Sequence, residues 1–272
     1  MILKLLSNQH MLGSSTIPAS EESGWSSGDE GIFHLIGAGA PWLLLAGLLY
    51  FALRAIARNG RYNAVTSFDE AQRERVREAV VLAEKRTIGE IVPVVLERSD
   101  EHPQANWIAA LLTGVLGSAF LFNWLPWETP LHLLLSQLGM GATGLVLARL
   151  LPDFKRLFVS DLRAQSVADE QAFQEFYRLG LHNTDEQTGV LLFISLFEHR
   201  VIVLGDKGID AKVAPELWQS VDRAILKGAK EGDLAQGLVD GIALCADVLE
   251  EHFPWREGDR NELPDRVIVR AE

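Results

Sequence analysis

The sequence predicts an α/β fold: a small mixed β-sheet covered by helices. A transmembrane helical hairpin is inserted after the first strand, and an additional transmembrane helix stands ahead of the domain. Three observations predict it. Short β-branched runs alternate with longer stretches at helical spacing, the pattern of a layered α/β domain. From His102 to Ala148 the only formally charged residue is Glu128. A third apolar run, residues 32–53, precedes the domain and is followed at once by Arg54, Arg58 and Arg61.

The inserted hairpin consists of runs 107–125 and 131–151 around the break Pro126-Trp127-Glu128-Thr129-Pro130. Each run is close to the ~20 residues with which a helix crosses a bilayer. The expected spans are 106–125 and 131–151. Gly114 with Ser118, and Gly139 with Thr143, place small residues four apart, which allows close helix approach. Residues 32–53 read as a signal anchor rather than a cleaved signal peptide. They start far from Met1, follow acidic residues and are too long for a signal core. Residues 1–31 are Ser/Gly-rich and are expected to be disordered. Lys and Arg favour the cytoplasmic side. Arg54, Arg58, Arg61, Arg149, Lys155, Arg156 and Arg163 therefore place the soluble domain inside, with Trp124 and Trp127 at the far interface. The expected location is the cell inner membrane, with several passes.

The soluble part is read from residues 66–100 and 152–270. Ser67-Phe68-Asp69-Glu70 fits a capping box for a helix running to about Lys85. Residues 90–96 (EIVPVVL) form the first strand, which Pro93 demotes toward an edge or a bulge. Residues 166–178 are helical, with Phe173, Phe176 and Tyr177 marking the apolar side, and Gly180 is a C-cap. Residues 190–195 and 200–204 form a strand hairpin, closed by a turn at Gly205-Asp206-Lys207-Gly208. Two amphipathic helices, 215–227 and 234–252, and a short strand at 266–270 complete the chain.

Composition narrows the function. There are 37 Asp and Glu against 25 Lys and Arg, for a net charge of −12. Without a local basic face this excludes a nucleic-acid role. The one cysteine, Cys245, forms no internal disulfide and reads as a core residue.

Several motifs carry a resemblance. Thr87-Ile88-Gly89-Glu90-Ile91-Val92-Pro93 resembles the T-x-G-E-I start of the first strand in the TPM domain family. The second half of that domain is similar to three blocks here. They are Gly180-Leu181-His182-Asn183-Thr184, then Thr188-Gly189-Val190-Leu191-Leu192-Phe193, then Glu198-His199-Arg200-Val201 with Gly205-Asp206-Lys207-Gly208-Ile209. A bacterial membrane subgroup is similar even in the inserted hairpin and in the ending Asp259-Arg260-Asn261-Glu262-Leu263-Pro264-Asp265. The resemblance spans residues 68–269. It implies an α/β/α sandwich. Plant thylakoid members of the family are associated with photosystem repair and have been assigned acid phosphatase activity, and other members are accessory subunits of membrane complexes. This chain departs from the pattern in its cytoplasmic orientation, in lacking a Gly-rich C-terminal tail and in adding residues 1–62.

No complete catalytic set is visible. Acidic residues near strand ends are the candidates. Glu198, Asp206 and Asp210 could hold Ca²⁺ or Mg²⁺ through carboxylate oxygens, and a metal could support phosphoester hydrolysis. Glu90, opening the first strand, and His199, beside Glu198, are further candidates. Asp and Glu are also ordinary turn and cap residues. His182 could act as a general base or face a partner, and Arg260 and Asn261 could dock the tail or bind a partner. Two functions follow. One is a non-enzymatic accessory protein acting on membrane-protein complexes at the bilayer surface. The alternative is a membrane-anchored, divalent-metal-dependent acid phosphatase.

Overall fold

A computed structural model describes residues 50, 64, 68–122 and 129–271. Ser67, the N-terminal segment 1–31, nearly all of the expected span 32–53 and the hairpin tip lie outside the described residues. Tyr50–Glu272 is one compact unit.

The first described helix, α1 (Glu70–Glu84), is capped two residues later than its sequence suggests. Asp69 accepts from the Gln72 backbone N–H at 2.7 Å, and the Gln72 side chain accepts from the Asp69 N–H at 3.0 Å. Asp is as good a cap as Ser, and Gln at the third position closes the box from the other side. After β1 (Glu90–Leu96) the chain runs through α2 (Pro103–Phe122), α3 (Pro130–Leu150) and a short α4 (Pro152–Arg156). Helix α5 (Asp161–Arg178) follows, capped by Ser160, whose side chain accepts from the Arg163 N–H. Next come β2 (Gly189–Ser195), β3 (Arg200–Gly205), the short α6 (Lys207–Asp210), α7 (Trp218–Glu231), α8 (Leu234–His252) and β4 (Ile268–Arg270).

The sheet order is β3-β2-β1-β4. β1 pairs in parallel with β2 and β4, and β2 pairs antiparallel with β3. β1 is thus a central strand, which corrects the edge position suggested by Pro93. Hydrogen bonding explains the tolerance. Glu90 N donates to Thr188 O and Leu96 O accepts from Leu196 N, so the even positions of β1 face β2. Glu97 N donates to Arg270 O, so the odd positions face β4. Pro93 lacks its N–H on the β4 side, and β4 pairs only with Val94, Val95 and Leu96. No ladder bond is lost.

Strand alternation builds two cores and hence three layers. Ile91, Val95, Val190, Leu192 and Ile194 pack with Val76 and Val80 of α1, Val221 and Ile225 of α7, and Leu238 and Ile242 of α8. Val92, Val94, Leu96, Leu191 and Phe193 point the other way, onto Ala168, Ala172 and Phe176 of α5. The α5 face therefore sets two alanines beside a single phenylalanine against the sheet. Phe173 and Tyr177, read from the sequence as part of its apolar side, are exposed. Cys245 is fully buried in the first core.

α2 and α3, of 20 and 21 residues, are long and apolar enough to cross a membrane. At ~1.5 Å per residue each spans about 30 Å. Outward-facing side chains include Trp107, Leu111, Leu116, Leu131 and Leu138. Between the two helices, Gly114 and Ser118 are buried as expected. On α3 the close contact is made by a different face. A side chain on Gly144 would meet Ala109 O at 2.8 Å, whereas nothing lies within 4 Å of Gly139 and Thr143 is exposed.

Candidate functional site

The strands place polar groups at two opposite ends of the sheet. At one end, where β1 and β2 finish, the hairpin leaves the domain. Glu198 sits in the turn between β2 and β3 and is 1% exposed. Its Oε1 lies 2.6 Å from His102 Nε2. Its Oε2 accepts from the Ser99 N–H at 3.1 Å and from the Ser195 hydroxyl. Ser99 Oγ in turn donates to Ser195 Oγ at 2.9 Å. Arg163 bonds Asp100 at 3.1 Å, and Asp100 lies 3.5 Å from His102 Nδ1. The His102 ring rests on Phe197 at 5.3 Å between centroids. The Lys155 ammonium donates to Glu101 O, and Arg156 donates to Phe197 O.

Burial alone would raise the Glu198 carboxyl. Hydrogen bonds from His102, Ser195 and Ser99 outweigh it and hold the group below the ordinary carboxylate range. A carboxylate engaged by three donors in this way has a structural task. Ser195 is fully buried, so the Ser–Glu–His arrangement presents no nucleophile to a substrate. His102 and His199 both have left-handed backbones, φ 46° and 54°. Such conformations in residues with a Cβ persist only where surrounding contacts hold them.

Asp206 and Asp210 lie at the other end. Asp206 N donates to Gly189 O at the start of β2, and β3 returns there after six residues. The strand length separates Glu198 from Asp206 by about 20 Å. The structure therefore brings Asp206 and Asp210 together but not Glu198 with either. Asp206 caps α6 through Lys207 N at 2.8 Å, so the expected turn is the start of a short helix. Its Oδ2 is buried and finds no hydrogen-bond partner among the described residues. Burial first, and then Asp206, raises the Asp210 carboxyl. The pair lines a pocket of about 510 Å³ with Phe173, Tyr177, Lys207 and Trp218. Two carboxylates fall short of the six to eight oxygens that enclose Ca²⁺, and match only the sparse way in which a largely hydrated Mg²⁺ is held. Among the described residues no group of three or more His, Cys, Asp or Glu is disposed to hold a metal ion.

The same far end clasps the tail. Glu90, read as a candidate, accepts from Glu262 N at 2.9 Å and Leu263 N at 3.2 Å. Burial raises its carboxyl despite those two bonds. Glu262 in turn accepts from Asp185 N at 3.1 Å. Asn261 donates to Asp265 within the tail. Arg260 and Asn261 are exposed, and exposed His182 rests against Tyr177 at 4.9 Å. Nearby, Glu84 accepts from Ile91 N at 3.1 Å. Burial, reinforced by Glu90 and Asp265, pushes its carboxyl up to about 9. Sequence reading missed Ser99, His102, Ser195 and Glu84. Ser99 and His102 lie 99 and 96 positions from Glu198, whereas Ser195 and Glu84 lie only three and seven positions from their partners and carry no motif that marks them.

Residues 155–248 match the model of the TPM domain. That segment is the TPM-like part of the chain. The matched segment starts behind the hairpin and ends within α8. The central strand β1, which completes its sheet, therefore lies ahead of the hairpin and outside the match. The NMR structure of the BA42 protein from the psychrophilic bacterium Bizionia argentinensis is similar at 22% identity, with a TM-score of 0.48, over 75% of this chain and 95% of that one. No curated protein matches the chain.

Proposed function

We propose that this chain is a multi-pass membrane protein whose TPM domain is a non-enzymatic accessory unit, binding other membrane proteins on the cytoplasmic side of the inner membrane. The observation that carries this reading is the root of the hairpin. Two helices of membrane-spanning length interrupt the domain directly after its central strand, and the Glu198–His102 contact, with Arg163–Asp100 and the Lys155 and Arg156 bonds, locks them to the sheet. A domain held so closely samples partners at the bilayer, where two-dimensional confinement raises effective concentration. Arg149, Lys155, Arg156 and Arg163 beside the second span favour the cytoplasmic side.

The partner face in this reading is the membrane-distal end, where His182, Arg260 and Asn261 are exposed together with the clasped tail. Photo-crosslinkers placed at these positions in native membranes are expected to capture a membrane protein, and the same probes near Leu157 are not. A reporter fused after Glu272 is expected to behave as cytoplasmic; a periplasmic signal would overturn the orientation.

The second reading, a divalent-metal-dependent phosphatase, is favoured by one feature, the Asp206–Asp210 pair in its pocket. Full-length protein assayed for phosphoester hydrolysis with Mg²⁺, Mn²⁺, Ca²⁺ or none is expected to be inactive. Metal-dependent hydrolysis abolished by Asp206→Asn would replace the accessory reading.

A further inference from the structure

The order β3-β2-β1-β4 leaves β3 at an edge of the sheet. Asp206 N donates to Gly189 O, and the register pairs Val190 with Gly205. In an antiparallel ladder, residues that bond the neighbouring strand alternate with residues that turn away from it. The even positions of β3 therefore bond β2, and Val201, Val203 and Gly205 turn their N–H and C=O groups outward. Among the described residues, no strand, turn or side chain takes up these groups. Folded proteins blunt such an edge with Lys, Pro or a bulge. Here the run Val-Ile-Val-Leu-Gly, residues 201–205, has no charge, no proline and an unbroken register.

The Asp206–Asp210 pocket, of about 510 Å³, lies on this edge. Val203 and Gly205 of the strand line it, with Phe173 and Tyr177 of α5 from one face of the sheet and Val213 and Trp218 from the other. A pocket walled from both faces is a groove along the edge between them. Its charges are mostly acidic. Asp206 is 6% exposed and its Oδ2 finds no hydrogen-bond partner among the described residues; Asp210 is exposed, and Lys207 is the one cation in the lining. Carboxylates beside aromatic rings suit a cationic side chain, which gains both an ion pair and the face of a ring.

We propose that this edge accepts an extended segment from a cytoplasmic loop of a partner membrane protein. The segment adds as a further strand beside β3 and seats a Lys or Arg between Asp206, Asp210 and the rings of Phe173, Tyr177 and Trp218. The proposal rests on the accessory reading and deepens it. Strand addition draws affinity from main-chain bonds and specificity from pockets that receive alternate side chains. Charge complementarity selects the occupant. The chain carries a net charge of −12, and membrane proteins concentrate Lys and Arg in cytoplasmic segments within ~15–20 residues of a span. Asp206 stands about 20 Å from the hairpin root, a distance that about six extended residues cover. His182 rests against Tyr177, which joins the groove to the exposed partner face.

The test uses full-length protein in a non-ionic detergent. The probe is a fluorescein-labelled octapeptide of alternating Thr and Val with one central Lys, read by fluorescence polarisation. A peptide with Glu in place of that Lys is expected to bind at least ten times more weakly. Two further peptides are N-methylated at alternate amides, one in each phase. Methyl groups in one phase are expected to abolish binding and in the other to leave it intact, because only alternate amides of an added strand face β3. Val203→Pro removes an outward N–H and no ladder bond, and is expected to weaken the Lys peptide at least tenfold with an unchanged circular dichroism spectrum. Asp210→Asn, at an exposed position, is expected to narrow the gap between the Lys and Glu peptides. Equal binding of the Lys and Glu peptides would overturn the charge recognition. Undiminished binding of both methylated peptides would overturn the strand addition, and no binding of the Lys peptide would overturn the surface. If that peptide fails while crosslinkers at His182, Arg260 and Asn261 still capture a membrane protein, the edge proposal falls and the accessory reading stands. Metal-dependent hydrolysis abolished by Asp206→Asn would overturn both.

Discussion

Glu198 Oε1 lies 2.6 Å from His102 Nε2, although 96 positions separate the two in sequence. The contact joins the turn of the strand hairpin to the last residue before α2. Both groups are almost fully buried, at 1% and 2% exposed. It joins the root of the apolar hairpin to the sheet, and it closes only when the domain halves on either side of the insertion have assembled.

Removing one member of this cluster leaves the others buried and unpaired. Glu198→Ala is expected to destabilise the protein by about 3–5 kcal/mol, and Glu198→Gln by less, because it retains an acceptor. Denaturant unfolding in detergent measures both. The Glu198 pKa is lowered in the fold, so its stabilisation is complete above the unfolded value of about 4.3 and is lost as pH falls through the folded value. Wild-type stability is therefore expected to drop below about pH 4, and Glu198→Gln to flatten that limb.

Glu84 has the opposite sign. Its carboxyl is raised to about 9, so the folded state keeps the proton where the unfolded chain has released it. Stability from this group is full at low pH and declines as pH rises from the unfolded value toward 9. Glu84→Gln keeps an acceptor for Ile91 N and carries no charge. The variant is expected to melt higher than wild type at pH 8–9, with the gap closing below pH 5, as read by Tm against pH.

Helices α7 and α8 touch through glycine. A Cβ at Gly228 would meet Gly237 Cα at 2.4 Å and Asp233 O at 2.7 Å, both backbone atoms that cannot swing aside. Gly228→Ala is expected to cost about 2–3 kcal/mol and to expose the core around Ile225, measured by denaturant midpoint and hydrogen exchange.

The tail is held by two backbone donors on one carboxylate. Glu90→Ala is expected to release residues 259–265, detected as faster proteolysis at Arg260 and Arg266 with the hairpin network unaffected. Unchanged cleavage kinetics would show that the Arg256–Glu186 pair and β4 suffice to hold it.

Local signals made much of the fold legible. Residues 90–96 and 234–252 coincide with β1 and α8, because each is bounded by residues whose own chemistry starts or stops an element: Gly89 and the charged Glu97 for the strand, and the Asp233 cap for the helix. At the start of α1 the sequence reading settled on Ser67 with Glu70, whereas the fold uses the equally spaced Asp69 with Gln72. The aromatic reading of α5 held for Phe176 and failed for Phe173 and Tyr177 for a different reason. Periodicity marks a face but not its distance from the sheet, and close packing selected Ala168 and Ala172 over Phe173 and Tyr177.

By itself, then, the sequence determined the strands and the longer helices, the nearly uncharged hairpin and its place after the first strand, since these follow from spacing and from the near-exclusion of charge between His102 and Ala148. Tertiary structure alone decided that Pro93 sits in a central strand, because which side of β1 lacks a neighbour is a property of sheet order. It also decided that Glu198 belongs with His102 and not with Asp206. Antiparallel pairing carries β3 away from the turn, and the chain returns a histidine from ahead of the hairpin to the same end. Pairings that depend on which strands lie side by side are long-range, and a linear pattern of residues does not encode them locally.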